Sequence, residues 1–381
     1  MKILHLMLSC FYIDGYNYQE NVLPRLNKED GHSVRIIAST ETYIDNQNLG
    51  YVAPRTYQNE DGIEVTRLPY RGGLPQVVMR KLRAYPGLYS HIEAFAPDVI
   101  LFHGVPAYEL LTVARYKKYH PSVKLYVDSH EDHHNSGTNA LSKWVLHRGF
   151  YKSVIARALP SIDKILYISE ETKDFLIENY DIPSEMMEFY PLGGVIAEES
   201  EVERRRQARR GELGLDGEDI LFLHSGKLDP IKRTEALLEA FTAVDDARFR
   251  LVLIGTIGNE IREKLDPLIQ RDPRITFLGW KTSSELQEYL CACDLYVQPG
   301  GQSATMQNAM CASAPVMIFP HKSHKPYLDG NGFFVEGVED MKRSFQEISR
   351  EPGLLAPMRR RSRELAQDLL DYRMLAARLY R

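Results

Sequence analysis

Short apolar runs of β-strand character recur along this chain, each separated from the next by a stretch long enough for a helix. Residues 2–9 form the first run, and a predicted helix at 18–30 connects it to a second run at 31–39. Uninterrupted apolar strands are typical of parallel sheets that are covered by helices on both faces. The alternation therefore predicts an α/β protein with doubly wound, Rossmann-like sheets.

The predicted strands fall into two series. The first continues with residues 61–70, 97–104, 123–130, 162–169 and 187–194, and the second comprises 220–223, 249–255, 274–280, 293–300 and 314–320. Between them lies a strongly charged stretch, 198–219, which we interpret as a solvated helix at the domain junction. We therefore predict domains at 1–195 and 196–360, followed by an Arg-rich helical tail at 361–381.

Composition excludes several classes of protein. The 381 residues carry 47 basic and 52 acidic side chains, so a general affinity for nucleic acid is not expected. The four cysteines form no CxxC pair, which favours a reducing cytoplasm. The apolar start is too short and too interrupted for a signal peptide, and no window approaches the roughly 20 apolar residues of a membrane span. We expect a cytoplasmic protein whose membrane contact is at most peripheral.

The second series opens with a strand, a short basic loop and an amphipathic helix, ILFLHSGKLDPIKRTEALLEAF, at residues 220–241. Gly226 is predicted to allow a tight exit from the strand, and Thr234 to be the helix N-cap. Lys227 and Lys232 flank the turn. Unpaired N–H groups at a helix N-terminus favour phosphate, and two lysines add full charges. The alternative is an ordinary βα turn whose lysines face water.

The order of motifs resembles the retaining family-4 glycosyltransferases of the GT-B fold. The motifs are Gly15 after the first strand, DSHED at 128–132, PLGG at 191–194, and GKL at 226–228 followed by Lys232. The resemblance covers nearly the whole chain. It implies two Rossmann-like domains that face a cleft, an N-terminal acceptor domain and a C-terminal nucleotide-sugar donor domain. It also implies that the tail crosses back to the first domain.

The resemblance also implies roles for individual residues. His130, Lys227 and Lys232 would be catalytic, the lysines by neutralising the leaving diphosphate without a metal or other cofactor. Donor contacts would come from Gly15, Gly226, Trp280, Gln302, Ser303, Ala304, Thr305 and Asn308, and acceptor contacts from Gln19, Glu20 and Asp132. Trp280 could equally belong to the core. A metal site at 130–134 is not expected, because that cluster lacks HExxH spacing.

One segment departs from the family pattern, in which two glutamates with seven residues between them precede and enter a helix. Aligning the helix NAMCASAPV with the family's EAMACGxPV places Gly300 and Asn308 at the two glutamate positions. Gly301 and Ser303 can instead present backbone N–H groups, and the Asn308 amide offers both a donor and an acceptor. The departure leaves donor identity and catalytic competence open.

The sequence thus predicts transfer of a sugar, with retention, from a nucleotide diphosphate to a glycan or lipid-linked acceptor in surface polysaccharide synthesis. UDP is preferred on family frequency alone. Residues 74–89 and 144–158 mix aromatic, aliphatic and basic side chains. This pattern is typical of peripheral helices on anionic lipid. The alternative is a helix that packs on the sheet with its basic side chains in water. The rivals are a sugar-nucleotide 2-epimerase and a catalytically silent sugar-nucleotide-binding subunit. Acceptor, linkage and oligomeric state are left open.

Overall fold

The computed structural model describes residues 1–44, 48–73, 75–133, 136 and 142–381, with the backbone alone at residues 142 and 143. The chain forms two compact units. Unit 1 comprises Met1–Pro191 and Tyr372–Arg381, and unit 2 comprises Leu192–Asp371. The chain leaves unit 1 slightly before residue 195, where the sequence places the boundary, and its last residues return to unit 1.

Unit 1 contains a largely parallel sheet with helices on both faces. Its strands are β1 (Lys2–Met7), β2 (Ser33–Ser39), β3 (Glu41–Tyr43), β4 (Leu49–Tyr51), β5 (Arg55–Gln58), β6 (Glu64–Leu68), β7 (Val99–His103), β8 (Lys124–Ser129), β9 (Lys164–Tyr167) and β10 (Met187–Phe189). Within the described residues the main sheet has the order β10-β9-β8-β7-β1-β2-β6-β5, antiparallel only between β5 and β6. The short strands β3 and β4 pair separately and were not predicted.

The helices of unit 1 follow its strands. They are α1 (Gln19–Glu29), α2 (Gln76–Leu82), α3 (Leu88–Phe95), α4 (Leu110–Tyr119), a π-helical segment (Ser142–Tyr151), α5 (Lys152–Ala158), 3₁₀ turns at Leu159–Ser161 and Ser184–Met186, and α6 (Glu170–Tyr180). Successive β1 residues Ile3 and Leu4 belong to different buried clusters, because neighbouring strand side chains point to opposite faces. The sheet is therefore buried on both sides, as its apolar strands predict.

Unit 2 is a second doubly wound domain, and all its strand pairs are parallel within the described residues. The elements are α7 (Glu199–Glu212), β11 (Ile220–Leu228), a 3₁₀ turn (Pro230–Lys232), α8 (Thr234–Thr242), β12 (Phe249–Ile257), α9 (Asn259–Arg271), β13 (Ile275–Phe277), α10 (Ser283–Ala292), β14 (Leu295–Gln298), α11 (Ala304–Cys311), β15 (Val316–Ile318), a 3₁₀ turn (Lys322–Tyr327), β16 (Gly332–Phe334), α12 (Val338–Arg350), a 3₁₀ turn (Pro352–Leu354) and α13 (Leu355–Leu369). The strand order is β13-β12-β11-β14-β15-β16. The α/β prediction is confirmed for both units, whereas the edge strand β16 was missed.

The charged stretch before β11 does form a helix, α7. The prediction that its arginines are solvated holds for Arg204, which is 68% exposed, but is wrong for three others. Arg206 and Arg210 both pair with the Asp294 carboxylate, and Arg209 pairs with Glu288. These guanidinium groups are largely covered, because the aliphatic stem of an arginine can pack on the domain while its head group pairs with a carboxylate.

The segments with mixed aromatic and basic side chains place several apolar side chains in water. Val77 and Val78 on α2 and Trp144 and Val145 in the π-helical segment are exposed. Leu74, where the first segment begins, lies outside the described residues. Among the described helices, none combines the length and apolar character needed to cross a membrane.

The chain ends in α14 (Tyr372–Ala377), which packs against α1 in unit 1. Leu375 and Ala376 are buried in the same cluster as Val22 and Leu23 of α1. The Tyr190 hydroxyl donates to the Leu375 carbonyl at 2.7 Å. The last helix is therefore an integral part of this face of unit 1.

Candidate functional site

The basic turn of unit 2 differs from its prediction in two details. Strand β11 continues through Gly226 and Lys227 to Leu228 instead of ending at the glycine, and Thr234 is the first residue of α8, preceded by Arg233 with a φ of 54°. The Thr234 hydroxyl lies 3.0 Å from His224 Nε2 and so does not cap the helix. Burial lowers the pKa of His224, a residue of β11, to about 4, which keeps its ring neutral.

Gly226 lies where two neighbouring strands approach each other closely. It pairs with Gly255, both with φ near +135°, and a Cβ on Gly255 would lie 1.8 Å from the Gly226 carbonyl oxygen. The Lys232 side chain lies across the bare face of Gly226, with Cε 3.4 Å from where a Cβ would be. Lys227, in contrast, is exposed. The positive φ favours glycine at residue 226, whereas the close approach of the strands excludes any side chain at residue 255.

Lys232 is held by two neighbouring segments. Its backbone N–H lies 3.2 Å from Asp229 Oδ1, and its Nζ donates to the Gln302 carbonyl at 3.2 Å. Burial lowers the pKa of Lys232, with Asp229 acting in the opposite direction. A partly desolvated ammonium group interacts more strongly with an anion than one in bulk water.

The loop after β14 packs directly on the Lys232 turn. The Gly301 N–H donates to the Ile231 carbonyl at 3.0 Å. A Cβ on Gly300 would lie 2.0 Å from that same oxygen and within 2.9 Å of the Lys232 backbone. This backbone therefore has no room for any side chain at residue 300.

A buried polar network holds the same loop from beneath. The Tyr296 hydroxyl lies 3.1 Å from Ser225 Oγ and donates to Gln298 Oε1 at 3.2 Å, while Gln298 Nε2 donates to the Gly301 carbonyl at 2.7 Å. Burial raises the pKa of Tyr296 to about 12, so its hydroxyl remains a donor. Sequence reasoning missed these residues, although a tyrosine and a glutamine inside the apolar strand LYVQ were a usable signal.

Helix α11 begins beside this loop. Ser303 is its N-cap and accepts from the Thr305 N–H at 3.3 Å. Gln302 and Ala304 are exposed, and Ser303 and Thr305 are half-buried. The structure thus brings Lys232, Gln302 and the first turn of α11 together at the carboxyl ends of β11 and β14, where open α/β sheets bind ligands.

The other predicted donor residues lie further away or in different surroundings. Trp280 follows β13, two strands from β11, and is 68% exposed, which excludes the alternative that it belongs to the core. Half-buried Asn308 lies on α11 with Oδ1 3.3 Å from where a Cβ on Gly194 would be. Gly15 belongs to unit 1, and its N–H donates to Glu60 Oε1 at 2.8 Å.

Unit 1 gathers the candidate acceptor residues near the end of β8. His130 follows this strand, with Nδ1 3.8 Å from Glu20 Oε1 and Nε2 3.9 Å from Asp128 Oδ2. Gln19 and Glu20 open α1. Gln19 is only 2% exposed, and neither its amide nitrogen nor its amide oxygen has a hydrogen-bond partner among the described residues. Half-buried Asp132 follows in the loop after His130.

The acidic and histidine side chains after His130 point to separate neighbours. Glu131 accepts from Ser136 and Tyr180, and burial raises its pKa. His133 lies 3.0 Å from Glu178. His134 lies outside the described residues, and across the part of the chain that is described no three potential metal ligands cluster.

Polar residues inside the apolar strands of unit 1 were also missed. His5 on β1 and His103 at the end of β7 are fully buried and join Asp128 in one row of contacts. A histidine inside the apolar run KILHLM and another at the end of VILFH were the signals that could have found them.

Two family models match the chain. One, described as glycosyl transferase 4-like domain, covers residues 18–193, and the other, described as glycosyl transferases group 1, covers residues 219–351. The two matches fall in different units of the structure. No protein with a curated description matches the chain in sequence.

Solved structures share the fold over essentially the whole chain. HepE from Anabaena, solved with UDP, is 16% identical with a TM-score of 0.64, and the match covers 99% of this chain and 98% of HepE. A Rickettsia africae glycosyltransferase is 14% identical with a TM-score of 0.69, covering 99% and 96%. WaaG, described as involved in lipopolysaccharide biosynthesis, is 14% identical with a TM-score of 0.56, covering 99% and 98%. Both units therefore have the fold of the GT-B enzymes.

Proposed function

The chain belongs to the glycosyltransferases of the GT-B fold, and we propose that it transfers a sugar from a nucleotide-diphosphate donor, with UDP as the preferred nucleotide. HepE has been solved with UDP and with UDP-glucose, which supports this choice of nucleotide. We further propose that no metal or other cofactor is needed, because protein groups neutralise the diphosphate.

The observation that carries the proposal is the contact between Lys232 and the loop that opens α11. Lys232 Nζ lies 3.2 Å from the Gln302 carbonyl, immediately before the N-cap Ser303. An ammonium group and the free N–H groups of a helix N-terminus then face the same space, a combination that suits a diphosphate. Negative charge grows on the phosphate oxygens as the glycosidic bond breaks, so these donors favour the transition state over the ground state.

Lys227 has a weaker place in this proposal. It is exposed one residue before the end of β11, and no described contact orients it toward the α11 loop. We propose that it adds long-range attraction for the anionic donor, while Lys232 makes the direct contact. We expect Trp280, at the end of β13, to cover the nucleobase, and Asn308 to contact a sugar or ribose hydroxyl.

We propose that the donor site is atypical, because residue 300 has no side chain. Because Gly300 packs against the Ile231 carbonyl, the loop can lie on the Lys232 turn and present backbone groups instead of a carboxylate. Because the Gly301 N–H is already bonded to the Ile231 carbonyl, we propose that the backbone N–H groups of Gln302 and Ser303 replace the family's first glutamate. The enzyme then holds the donor sugar without a negative charge at this point.

Unit 1 supplies the proposed acceptor side. The buried Gln19 amide, unpaired among the described residues, costs about 1–3 kcal/mol until a ligand hydroxyl or phosphate pairs with it. Glu20 and His130 approach each other close by. We propose that Gln19, Glu20 and Asp132 bind the acceptor, that His130 contacts the transferred sugar or the acceptor, and that the backbone at Gly15 approaches the diphosphate.

Finer parts of the function are also proposals. We propose retention, with the departing phosphate accepting the proton of the attacking hydroxyl, and an acceptor that is a surface glycan or its lipid-linked precursor. The exposed Val77, Val78, Trp144 and Val145 support a cytoplasmic protein that touches anionic membrane peripherally. NMR of the anomeric proton in the product tests retention, and sedimentation with anionic vesicles tests the membrane contact.

Calorimetric titration with UDP tests the donor site. Lys232→Ala removes a charge-assisted contact worth about 1.5–3 kcal/mol, so the affinity should fall by roughly ten- to a hundred-fold. Lys264→Ala, a control in the same unit whose lysine is exposed on α9, should bind as the wild type does. Equal UDP affinity in both variants would remove the role assigned to Lys232.

Product analysis separates transfer from its rivals. A 2-epimerase would convert a UDP-sugar without any acceptor, and a silent binding subunit would bind UDP but neither hydrolyse nor transfer a donor. Transfer to a glycan or lipid acceptor is the expected result. Either alternative product pattern would contradict the proposed reaction while leaving the fold and the donor site unchanged.

A further inference from the structure

A continuous row of buried polar contacts runs through unit 1 from the C-terminal helix to the loop of His130. Asn27 Nδ2 donates to the Ala376 carbonyl at 3.4 Å, and Asn27 Oδ1 lies 2.9 Å from His5 Nε2. His5 Nδ1 lies 3.1 Å from His103 Nε2, and His103 Nδ1 lies 2.7 Å from Asp128 Oδ2. All four side chains are at most 1% exposed. We call this set, Asn27, His5, His103 and Asp128, the histidine row.

The order of donors in the histidine row is set by its two ends. The Ala376 carbonyl can only accept, so the Asn27 amide turns its NH₂ group toward it and its oxygen toward His5. His5 must then donate from Nε2, which leaves Nδ1 of the neutral ring as an acceptor. His103 must therefore donate from Nε2 to His5. Its other nitrogen, Nδ1, lies 2.7 Å from a carboxylate oxygen in ion-pair rather than hydrogen-bond geometry. Two unprotonated atoms at that distance would repel each other, so Nδ1 also requires a proton.

A neutral His103 cannot satisfy both contacts. With both rings neutral and His103 donating to Asp128, two nitrogen lone pairs would face each other across 3.1 Å. One additional proton removes this conflict, and it belongs on the ring nearer to the carboxylate. Burial, together with the charge of His103, lowers the pKa of His5 to about 3. Although burial acts in the opposite direction, the Asp128 carboxylate raises the pKa of His103.

Asp128 joins the histidine row to the candidate site. Its Oδ1 accepts from the Gly104 N–H at 2.8 Å, and its Oδ2 faces both His103 Nδ1 and, at 3.9 Å, His130 Nε2. Although burial acts to raise it, the His103 charge lowers the pKa of Asp128. The other titratable groups near Asp128 and His103 are Glu20 on α1, Cys10 after β1 and Tyr190 after β10.

We infer that His103 is a positioning residue for the proposed transfer: as a buried imidazolium ordered by the histidine row, it fixes the Asp128 carboxylate that faces His130. Docking of α14 supplies the acceptor that orients Asn27, so the C-terminal helix takes part in setting the charge next to the site. The catalytic part of this inference rests on the proposed function, whereas the charge state of His103 does not.

Long-range ¹H–¹⁵N NMR of the histidine rings in the substrate-free protein tests the charge state directly. At neutral pH His103 should show two nitrogens of N–H type, and His5 one, at Nε2. The His103 signals are assigned by their loss in His103→Gln. A singly protonated His103 in the folded wild type at neutral pH would overturn the inference.

Two substitutions at one position test the ordering. Asn27→Leu frees His5 to donate from Nδ1, so His103 should lose one N–H signal. Asn27→Asp keeps the acceptor for His5 Nε2 and should retain both signals. If Asn27→Leu does not fold, as judged by circular dichroism, the wild-type and Asn27→Asp spectra still decide the matter. Two N–H signals in folded Asn27→Leu would contradict the ordering.

Kinetics test the positioning role. His103→Gln should keep the wild-type Kd for UDP, because the histidine row includes none of the proposed UDP contacts, which lie in unit 2 and at the backbone of Gly15. The kcat with UDP-glucose should fall roughly tenfold or more, and its pH profile should shift. A variant with wild-type kcat and pH profile would refute the role. If the wild type turns over no donor, the proposed function fails, whereas the ring spectrum still decides the charge of His103.

Discussion

Replacing Gly300 by alanine tests whether the α11 loop must lie directly on the Lys232 turn. The added Cβ would meet the Ile231 carbonyl oxygen at 2.0 Å, so the two backbones have to separate by more than about 1 Å. Such a shift breaks the bond between the Gly301 N–H and the Ile231 carbonyl and the contact of Lys232 Nζ with the Gln302 carbonyl.

The size of the effect follows from these contacts. Overpacking costs about 1–3 kcal/mol and each lost hydrogen bond about 0.5–1.5 kcal/mol. If the two backbones separate, the overpacking is relieved but the hydrogen bonds are lost, so the two costs do not add fully. We therefore expect the free energy of unfolding to fall by about 2–3 kcal/mol in total. We also expect at least a tenfold loss of UDP affinity, which corresponds to about 1.4 kcal/mol, because Lys232 loses its neighbour.

Urea unfolding followed by circular dichroism measures the stability change, and calorimetry measures UDP binding. Gly211→Ala is the matched control. Gly211 lies on α7 with nothing within 4 Å of an added Cβ, so alanine should stabilise the helix by about 0.5–1 kcal/mol. If Gly300→Ala unfolds at the wild-type urea concentration and binds UDP normally, our account of this loop is wrong.

Two further predictions concern buried polar side chains. Burial is the largest cause that lowers the pKa of His5 to about 3 and those of His147 and His224 to about 4. Below about pH 6.5 the unfolded chain therefore binds protons that the folded chain does not bind. The free energy of unfolding should fall as the pH drops below this value, by about 3 kcal/mol at pH 4 from His224 alone. Urea midpoints at several pH values measure this, and a stability independent of pH in that range would contradict it. Tyr296→Phe should cost about 1–3 kcal/mol by leaving buried polar partners unsatisfied, whereas exposed Tyr119→Phe should be neutral in the same urea experiment; equal stabilities would mean that the Tyr296 network does not support the loop.

Most of the fold could be predicted from the sequence because its signals are local. Buried parallel strands such as β7 and β12 appear as continuous apolar runs, and the helices between them are required to connect parallel strands. The short strands β3, β4, β5 and β16 were missed, because segments of three or four residues carry too little pattern to separate them from loops. The arginines of α7 were misjudged because their partners Asp294 and Glu288 are distant in sequence.

The candidate site could be predicted only in part. The basic loop pointed to Lys232, but the packing of Gly300 on Ile231 depends on a contact between two loops about 70 residues apart, which no local pattern reveals. The histidine row has the same character, since His5, His103 and Asp128 come from three different strands. A histidine in a buried apolar run indicates that a hydrogen-bond partner must lie nearby. Which residue that partner is depends on the order of the strands in the sheet.

A crystal structure of the protein with UDP would test the donor site most directly. Our account predicts the diphosphate within hydrogen-bond distance of Lys232 Nζ and of backbone N–H groups between Gly301 and Thr305, at the carboxyl ends of β11 and β14. A diphosphate bound elsewhere, with Lys232 still directed only at the Gln302 carbonyl, would contradict it.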